Sequence, residues 1–204
     1  MRIGYGWDSH EFKRGVPLKI GGVALDHTHG LSGHSDGDVL LHALTDALLG
    51  AISAGDIGSY FPPSDPKWKG ADSVIFVLEA LSKIQEAGWK ICNVDSTLIL
   101  ESPKIGPVAH RIRDRVAEIL EIAPDAVGVK AKTPEGMGTE KAAIAHVVVL
   151  LEKQEDQKKL EVAAAVLEAD KHVDEVVEEL ISDADIDGDE VGAPLKGPAK
   201  KRFR

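Results

Sequence analysis

Cysteine is almost missing from this chain: Cys92 is the only one. A lone thiol excludes any internal disulfide, which fits a reducing compartment. Long apolar runs are missing as well. No stretch approaches the about 20 apolar residues of a membrane span, and the opening Met-Arg-Ile-Gly-Tyr-Gly lacks the apolar segment of a secretory signal. The expectation is a soluble, cytoplasmic protein with no membrane partner. Positive charge is scarce too, with 24 Lys and Arg against 34 Asp and Glu and a formal net charge of -10. Non-specific nucleic-acid binding needs a broad basic face, so that class is excluded. An anionic small molecule would need local attraction, from metal ions or backbone amides.

What is present suffices for one ordinary domain. At 204 residues and 43% hydrophobic content, the chain can bury one core and leave residues over. Residues 2–12 and 19–25 read as extended pieces separated by the Gly15, Val16, Pro17 turn signal. From Asp38 to Ala54, Leu41, Leu44, Leu48 and Ile52 recur at helical spacing, with the Asp38 carboxylate in the first turn, where it suits the helix dipole. A second helix is signalled by Asp72 or Ser73 as N-cap, an Ile75, Leu78, Leu81, Ile84 stripe, and Gly88 as the stop. Residues 89–100 read as a strand on the alternation of Ile91, Val94, Thr97 and Ile99. A third helix runs from Val108 to about Ile122, and strands at 127–133 and 143–151 follow. The last is nearly all apolar, which predicts a central strand or one buried on both faces. Strands alternating with three helices predict an α/β or α+β fold, a small mixed sheet with helices packed on one face.

Two short motifs suggest chemistry. In Asp8-Ser9-His10 the outer residues are two apart on a strand, so carboxylate and imidazole share a face. In His34-Ser35-Asp36-Gly37-Asp38, followed by His42, a loop delivers imidazole, hydroxyl and amide donors to a helix start, which favours phosphate. His42 can supply the third metal ligand that Asp8 and His10 lack. Two histidines and a carboxylate leave the fourth position of a tetrahedral zinc open, as catalytic sites require. Asp46, one turn after His42, reads either as its orienting partner or as an exposed helix residue. His27-Thr28-His29 also has ligand spacing and could form a rival triad with His34. His110, His146 and His172 carry only structural readings.

Two loops complete the set: Gly55-Asp56-Ile57-Gly58 with the 61–66 turn, and Lys130 to Gly138 at a strand end. The four clusters together resemble the 2-C-methyl-D-erythritol 2,4-cyclodiphosphate synthase family. Its opening Arg-Ile-Gly-x-Gly-x-Asp-x-His stands as Arg2 to His10, and its His-Ser-Asp-Gly-Asp-x-x-x-His as His34 to His42. Leu44 to Gly50, Lys69 to Ser73, Asn93-Val94-Asp95, Pro103-Lys104 and Val129 to Ala131 follow in the family's order. The resemblance spans about 150 residues, placing a catalytic domain at 1–153 and an added segment at 154–204.

The resemblance implies cyclisation of 4-diphosphocytidyl-2-C-methyl-D-erythritol 2-phosphate with release of CMP, in the non-mevalonate route to isoprenoid precursors. Asp8, His10 and His42 match the zinc ligands. His34 and Thr133 match positions that stabilise the transition state, and Ser35 joins His34 in holding phosphate oxygens. Glu135 matches a ligand for a second divalent ion, magnesium or manganese. Asp56 and Gly58 match contacts to the erythritol hydroxyls, with Ile57, Phe61, Ser64 and Asp65 on the same loop. Leu100, Pro103, Lys104, Ile105 and Gly106, with Ala131 and Lys132, match the cytosine pocket, and Thr139 completes the substrate contacts. A homotrimer with active sites between subunits is implied. Pro63 stands where the family usually has an acid, Lys132 stands where threonine is common, and the usual arginine before the last strand is absent. A trimeric metal and nucleotide binder without turnover is the alternative.

The remainder is charge-segregated, with 14 acidic and 3 basic side chains from Glu155 to Glu190, then 5 basic and no acidic ones to Arg204. Leu160, Ala163, Leu167, Val173, Val177 and Leu180 form a stripe that predicts an amphipathic helix over 156–181. Asp183, Asp185, Asp187 and Gly188 open like a calcium loop, but Pro194 replaces the glutamate such a loop needs at its end, so an acidic solvated loop is expected.

Overall fold

Alternation of small and large residues sets the architecture from its first strand. The computed structural model describes residues 1–154, one compact unit, together with Val173. The helix expected at 156–181, the acidic loop at 183–188 and the basic end lie outside the described residues, Val173 apart. Strand β1 (Arg2–Arg14) buries Gly4 and Gly6 on one face and exposes Ile3, Tyr5 and Trp7 on the other. It pairs antiparallel with β7 (Ala142–Lys153), which pairs in turn with β5 (Trp89–Ile99). Parallel β6 (Val127–Lys132) and antiparallel β4 (His29–Leu31) close the edges, giving a five-stranded mixed sheet in the order β4-β1-β7-β5-β6. Helices α1 (Val39–Ala51), α3 (Val74–Glu86) and α4 (Ala109–Leu120) complete the layers, so the α/β expectation holds.

Helix α1 packs directly on β1. A Cβ at Gly4 would lie 1.9 Å from the Ala47 carbonyl oxygen, and one at Gly6 2.1 Å from that of Ala43. Only glycine on the strand and alanine every fourth residue on the helix allow this approach, so Gly4, Gly6, Ala43 and Ala47 set the interlayer distance. The N-cap of α1 is Asp38, fully buried, whose carboxylate accepts from the amides of Leu40, Leu41, Gly21 and Gly22 at 2.7–3.2 Å. One side chain thus caps the helix and secures a separate hairpin, β2 (Leu18–Ile20) and β3 (Val23–Leu25), at its Gly21-Gly22 turn. Both turn residues have positive φ, 62° and 75°. The extended piece expected at 19–25 is therefore two strands, reversed where glycine alone tolerates the left-handed backbone.

Two further expectations change. In α3 the buried stripe is Phe76, Val77, Ala80, Leu81 and Ile84, while Ile75 and Leu78 are about half exposed. In β5 a bulge between Ile91 and Asn93 shifts the phase, so Val94, Ser96 and Leu98 face inward rather than Thr97 and Ile99. For β7 the first of the two alternatives holds, since it is central and buried on one face only, helices covering a single side of the sheet while Val148 stays exposed. No helix among the described residues is long and apolar enough to cross a membrane.

Candidate active site

The close packing of α1 on β1 decides which side chains meet. Asp8 and His10 continue the inward face of Gly4 and Gly6, past the Ala43 crossing, and His42 stands at the first turn of α1. Asp8 Oδ2 lies 2.8 Å from His10 Nε2 and 2.9 Å from His42 Nδ1, and the two nitrogens are 3.0 Å apart. Among the described residues this is the group of His, Cys, Asp and Glu side chains able to hold a metal ion. Around tetrahedral zinc, bonds of about 2.0–2.1 Å put the donors about 3.3 Å apart. The observed triangle is within a few tenths of an ångström of that, so the donor set and its spacing fit zinc. Burial would raise the Asp8 carboxyl, but its contacts with the His10 and His42 rings outweigh that and hold it well below the usual carboxylate range.

Neither of the two readings of Asp46, an exposed helix residue or the orienting partner of His42, holds. With Nδ1 turned to Asp8 and His10, His42 Nε2 meets Ser35 Oγ and Ser73 Oγ, each at 2.9 Å. Asp46 instead accepts the Ile57 amide at 2.7 Å, fixing the start of the 56–70 loop, and burial pushes its carboxyl up. Ser73 and Asp36, which accepts the Ser73 hydroxyl, were missed as site residues; Ser73 read only as a helix cap. Nothing in the sequence spacing singled them out; only the structure shows that the Ser73 side chain makes no capping bond and is fully buried.

The remaining predicted residues fall into two groups. The 34–37 loop carries His34, whose exposed ring donates from Nε2 to the Asp65 carbonyl at 3.3 Å, while Gly70 donates to the His34 carbonyl at 2.8 Å. The 56–70 loop is thereby held beside the triad. Asp56 caps a short helix α2 (Ile57–Tyr60), and its carboxyl, accepting from the Ser59 hydroxyl and amide, sits below its ordinary range. Phe61 packs on Phe76, with ring centroids 4.4 Å apart, and Phe76 on His42 at 5.9 Å. Ser64 and Gly58 are exposed. The second group is one cavity of about 420 Å³ lined by Leu100, Pro103, Lys104, Ile105, Gly106, Ala131 and Lys132, with Thr133 and Glu135 at the same cavity. The Thr133 hydroxyl donates to the Glu135 carboxylate. Thr139 is half-buried, outside both groups, its carbonyl accepting from Ala142 at 3.0 Å.

The rival triad does not form. His27 donates to the His29 carbonyl at 2.8 Å and faces Ser102, while His34 is engaged with Asp65, so the three rings do not converge. His146 meets the Tyr5 hydroxyl through Nδ1 at 2.9 Å.

A mixed sheet covered on one side by helices, with a two-histidine, one-carboxylate cluster at the strand-helix contact and a separate ligand-sized cavity, defines an α/β protein with a candidate metal-binding site. Residues 1–152 match the YgbB family. Over 154 residues the chain is 64% identical to the 2-C-methyl-D-erythritol 2,4-cyclodiphosphate synthase of Koribacter versatilis, covering 76% of this chain and 99% of that protein. A solved structure of a synthase of that name superposes with a TM-score of 0.71 at 42% identity, over 74% of this chain and all of that one. Another, in a bound form with CDP, gives 0.71 at 40% identity and the same coverage. The chain belongs to the YgbB family, that of the 2-C-methyl-D-erythritol 2,4-cyclodiphosphate synthases.

Proposed function

We propose that the chain converts 4-diphosphocytidyl-2-C-methyl-D-erythritol 2-phosphate into 2-C-methyl-D-erythritol 2,4-cyclodiphosphate and CMP, as a phosphorus-oxygen lyase of the non-mevalonate pathway. The carrying observation is the Asp8, His10, His42 triangle in a chain 64% identical to a synthase of that name. An oxygen of the substrate's 2-phosphate attacks the diphosphate phosphorus that bears the erythritol, and the bond from that phosphorus to the CMP oxygen breaks. Both reacting groups belong to one molecule, so the protein's work is to bend it into line and neutralise charge.

Each residue group has a part in this reading. Asp8, His10 and His42 hold zinc, which when bound supplies Lewis-acid stabilisation to a diphosphate oxygen. Glu135 is the proposed ligand of a magnesium or manganese ion, and coordination would free the Thr133 hydroxyl it now accepts for the substrate. His34, Ser35 and Thr133 donate hydrogen bonds to oxygens that gain charge. The 420 Å³ cavity, in the usual size range of small-ligand sites, takes the cytidine, while Asp56, Ile57 and Gly58, with Phe61, Ser64 and Asp65, form the erythritol side.

The catalytic domain is residues 1–153, and it works as a homotrimer with sites between subunits. Support comes from the sheet face opposite the helices, where Ile3, Tyr5, Trp7 and Val148 stand 43–71% exposed, an apolar surface that a monomer would leave in water.

CMP release from the named substrate tests the proposal. Cyclic product supports it; linear phosphates would indicate a hydrolase, and binding without CMP the non-catalytic alternative. His42→Ala is expected to lose zinc and activity together while keeping the fold, since the core around it is already packed. Full activity in the metal-depleted variant would refute the metal's role.

A further inference from the structure

Behind the metal centre, four side chains form one line of hydrogen bonds into the protein. His42 Nε2 meets Ser73 Oγ at 2.9 Å, Ser73 donates its hydroxyl hydrogen to Asp36 Oδ1, and Lys19 Nζ donates to Asp36 Oδ2 at 3.0 Å. Lys19 also reaches Asp72 at 3.3 Å. Ser73 is fully buried and the Asp36 side chain is 12% exposed, so the line is shielded from competing water. The amides of Asp36 and Gly70, bonded to Ala71 and His34 carbonyls, hold the loops that carry it.

We infer that Ser73 is the positioning residue of the metal centre, holding His42 in the tautomer that keeps Nδ1 bare toward Asp8 and His10, with Asp36 and Lys19 fixing the direction of its hydroxyl. The argument is one of counting hydrogens. A serine hydroxyl carries one, and the Asp36 carboxylate, which can only accept while ionised, takes it. The Ser73 oxygen can then only accept, so the hydrogen between Ser73 and His42 belongs to His42 Nε2. A neutral imidazole with its hydrogen on Nε2 has its lone pair on Nδ1, the atom facing the other two ligands. Lys19 keeps Asp36 ionised by pairing with its second oxygen.

The same geometry separates Ser73 from Ser35. Ser35 Oγ is also 2.9 Å from His42 Nε2, but it sits on the His34 loop and is only half-buried. Under the proposed function its hydroxyl turns to phosphate during the reaction. Ser73 has no such second task, being buried beneath the loop, and it retains His42 when Ser35 turns away.

The inference rests on the metal-centre reading, and the test separates the two. Zinc affinity is measured by competition with a chromophoric chelator on the full-length wild type and on Ser73→Ala. The His42 tautomer is read from ring ¹⁵N shifts in the zinc-loaded wild type. The expected results are a hydrogen on Nε2 of His42 in the wild type and a zinc Kd raised about 10- to 100-fold by Ser73→Ala, the usual effect of losing an outer partner of a metal-bound histidine. A wild type that binds zinc but carries its hydrogen on Nδ1 overturns the inference whether or not the variant folds. So does a folded Ser73→Ala whose zinc Kd stays within threefold. A wild type that binds no zinc overturns the metal centre itself, and this inference with it.

Discussion

Replacing Gly6 with alanine tests the claim that strand-helix contact distance assembles the metal centre. The added Cβ would meet the Ala43 carbonyl oxygen at 2.1 Å and the Ala47 amide nitrogen at 2.6 Å. Both are backbone atoms of α1, so no side chain can rotate away. Reaching even a tight contact of about 3 Å requires the helix to lift by roughly 1 Å. Overpacking commonly costs about 1–3 kcal/mol, and backbone-on-backbone conflict belongs at the upper end. For a domain of this size about 3 kcal/mol lowers Tm by roughly 6–12 °C. The functional loss is expected to be larger in proportion, because ligand distances tolerate only about 0.2 Å and His42 rides on the helix that moves. Calorimetry and zinc titration read both effects. Gly50→Ala is the control on the same helix: its Cβ meets nothing nearer than the Tyr5 carbonyl oxygen at 3.8 Å, so stability should hold or rise. A Gly6→Ala protein that melts within 2 °C of wild type and binds one zinc per chain with unchanged affinity would refute the reasoning.

The other predictions concern the buried carboxylates. Asp38→Ala leaves four amides of the α1 start and the Gly21-Gly22 turn without their acceptor and should cost about 3 kcal/mol or more, measured by urea unfolding; a loss under about 1 kcal/mol would show that water replaces the carboxylate. The Lys19-Asp36 pair should give a plateau in pH. Its hydrogen bond to Asp36 raises Lys19, so that contribution is full below about pH 10 and lost as pH rises through the raised value. Burial pushes Asp36 up, but bonds from Ser73 and Lys19 outweigh it and leave it lowered, so its contribution is full above about pH 4 and lost as pH falls through the lowered value. The stability difference between wild type and Lys19→Met should therefore be flat, at roughly 1 kcal/mol, between about pH 4 and 10 and shrink outside that window. A difference that changes steadily across pH 5–9 would contradict the assignment.

Much of the fold was legible because periodicity reports which face is buried. The stripe of Leu41, Leu44 and Leu48 located α1, and the dense apolar run at 143–151 located the central strand. The errors arose where a single residue breaks the period. The bulge near Cys92 reversed the inward face of β5, and two consecutive glycines folded 19–25 into a hairpin. In α3, periodicity alone admitted Ile75 and Leu78 to the core, but the neighbouring elements lie against Phe76 and Val77.

The amino-acid order by itself pointed to the candidate ligand set, since Asp8 and His10 share a strand face by geometry and His42 opens the helix that Asp38 caps. It also determined, through charge, that anionic ligands must be met locally. What the tertiary structure alone decided is the company each ligand keeps. Ser73 stands 31 positions from His42 and reaches its ring, with Asp36 bonded behind it, only because the 34–37 loop and the start of α3 meet there. Sequence spacing encodes short-range geometry within one element, and here it pointed to Asp46. The contact that fixes a tautomer runs between elements, and its partner is chosen by how closely glycine and alanine let those elements pack.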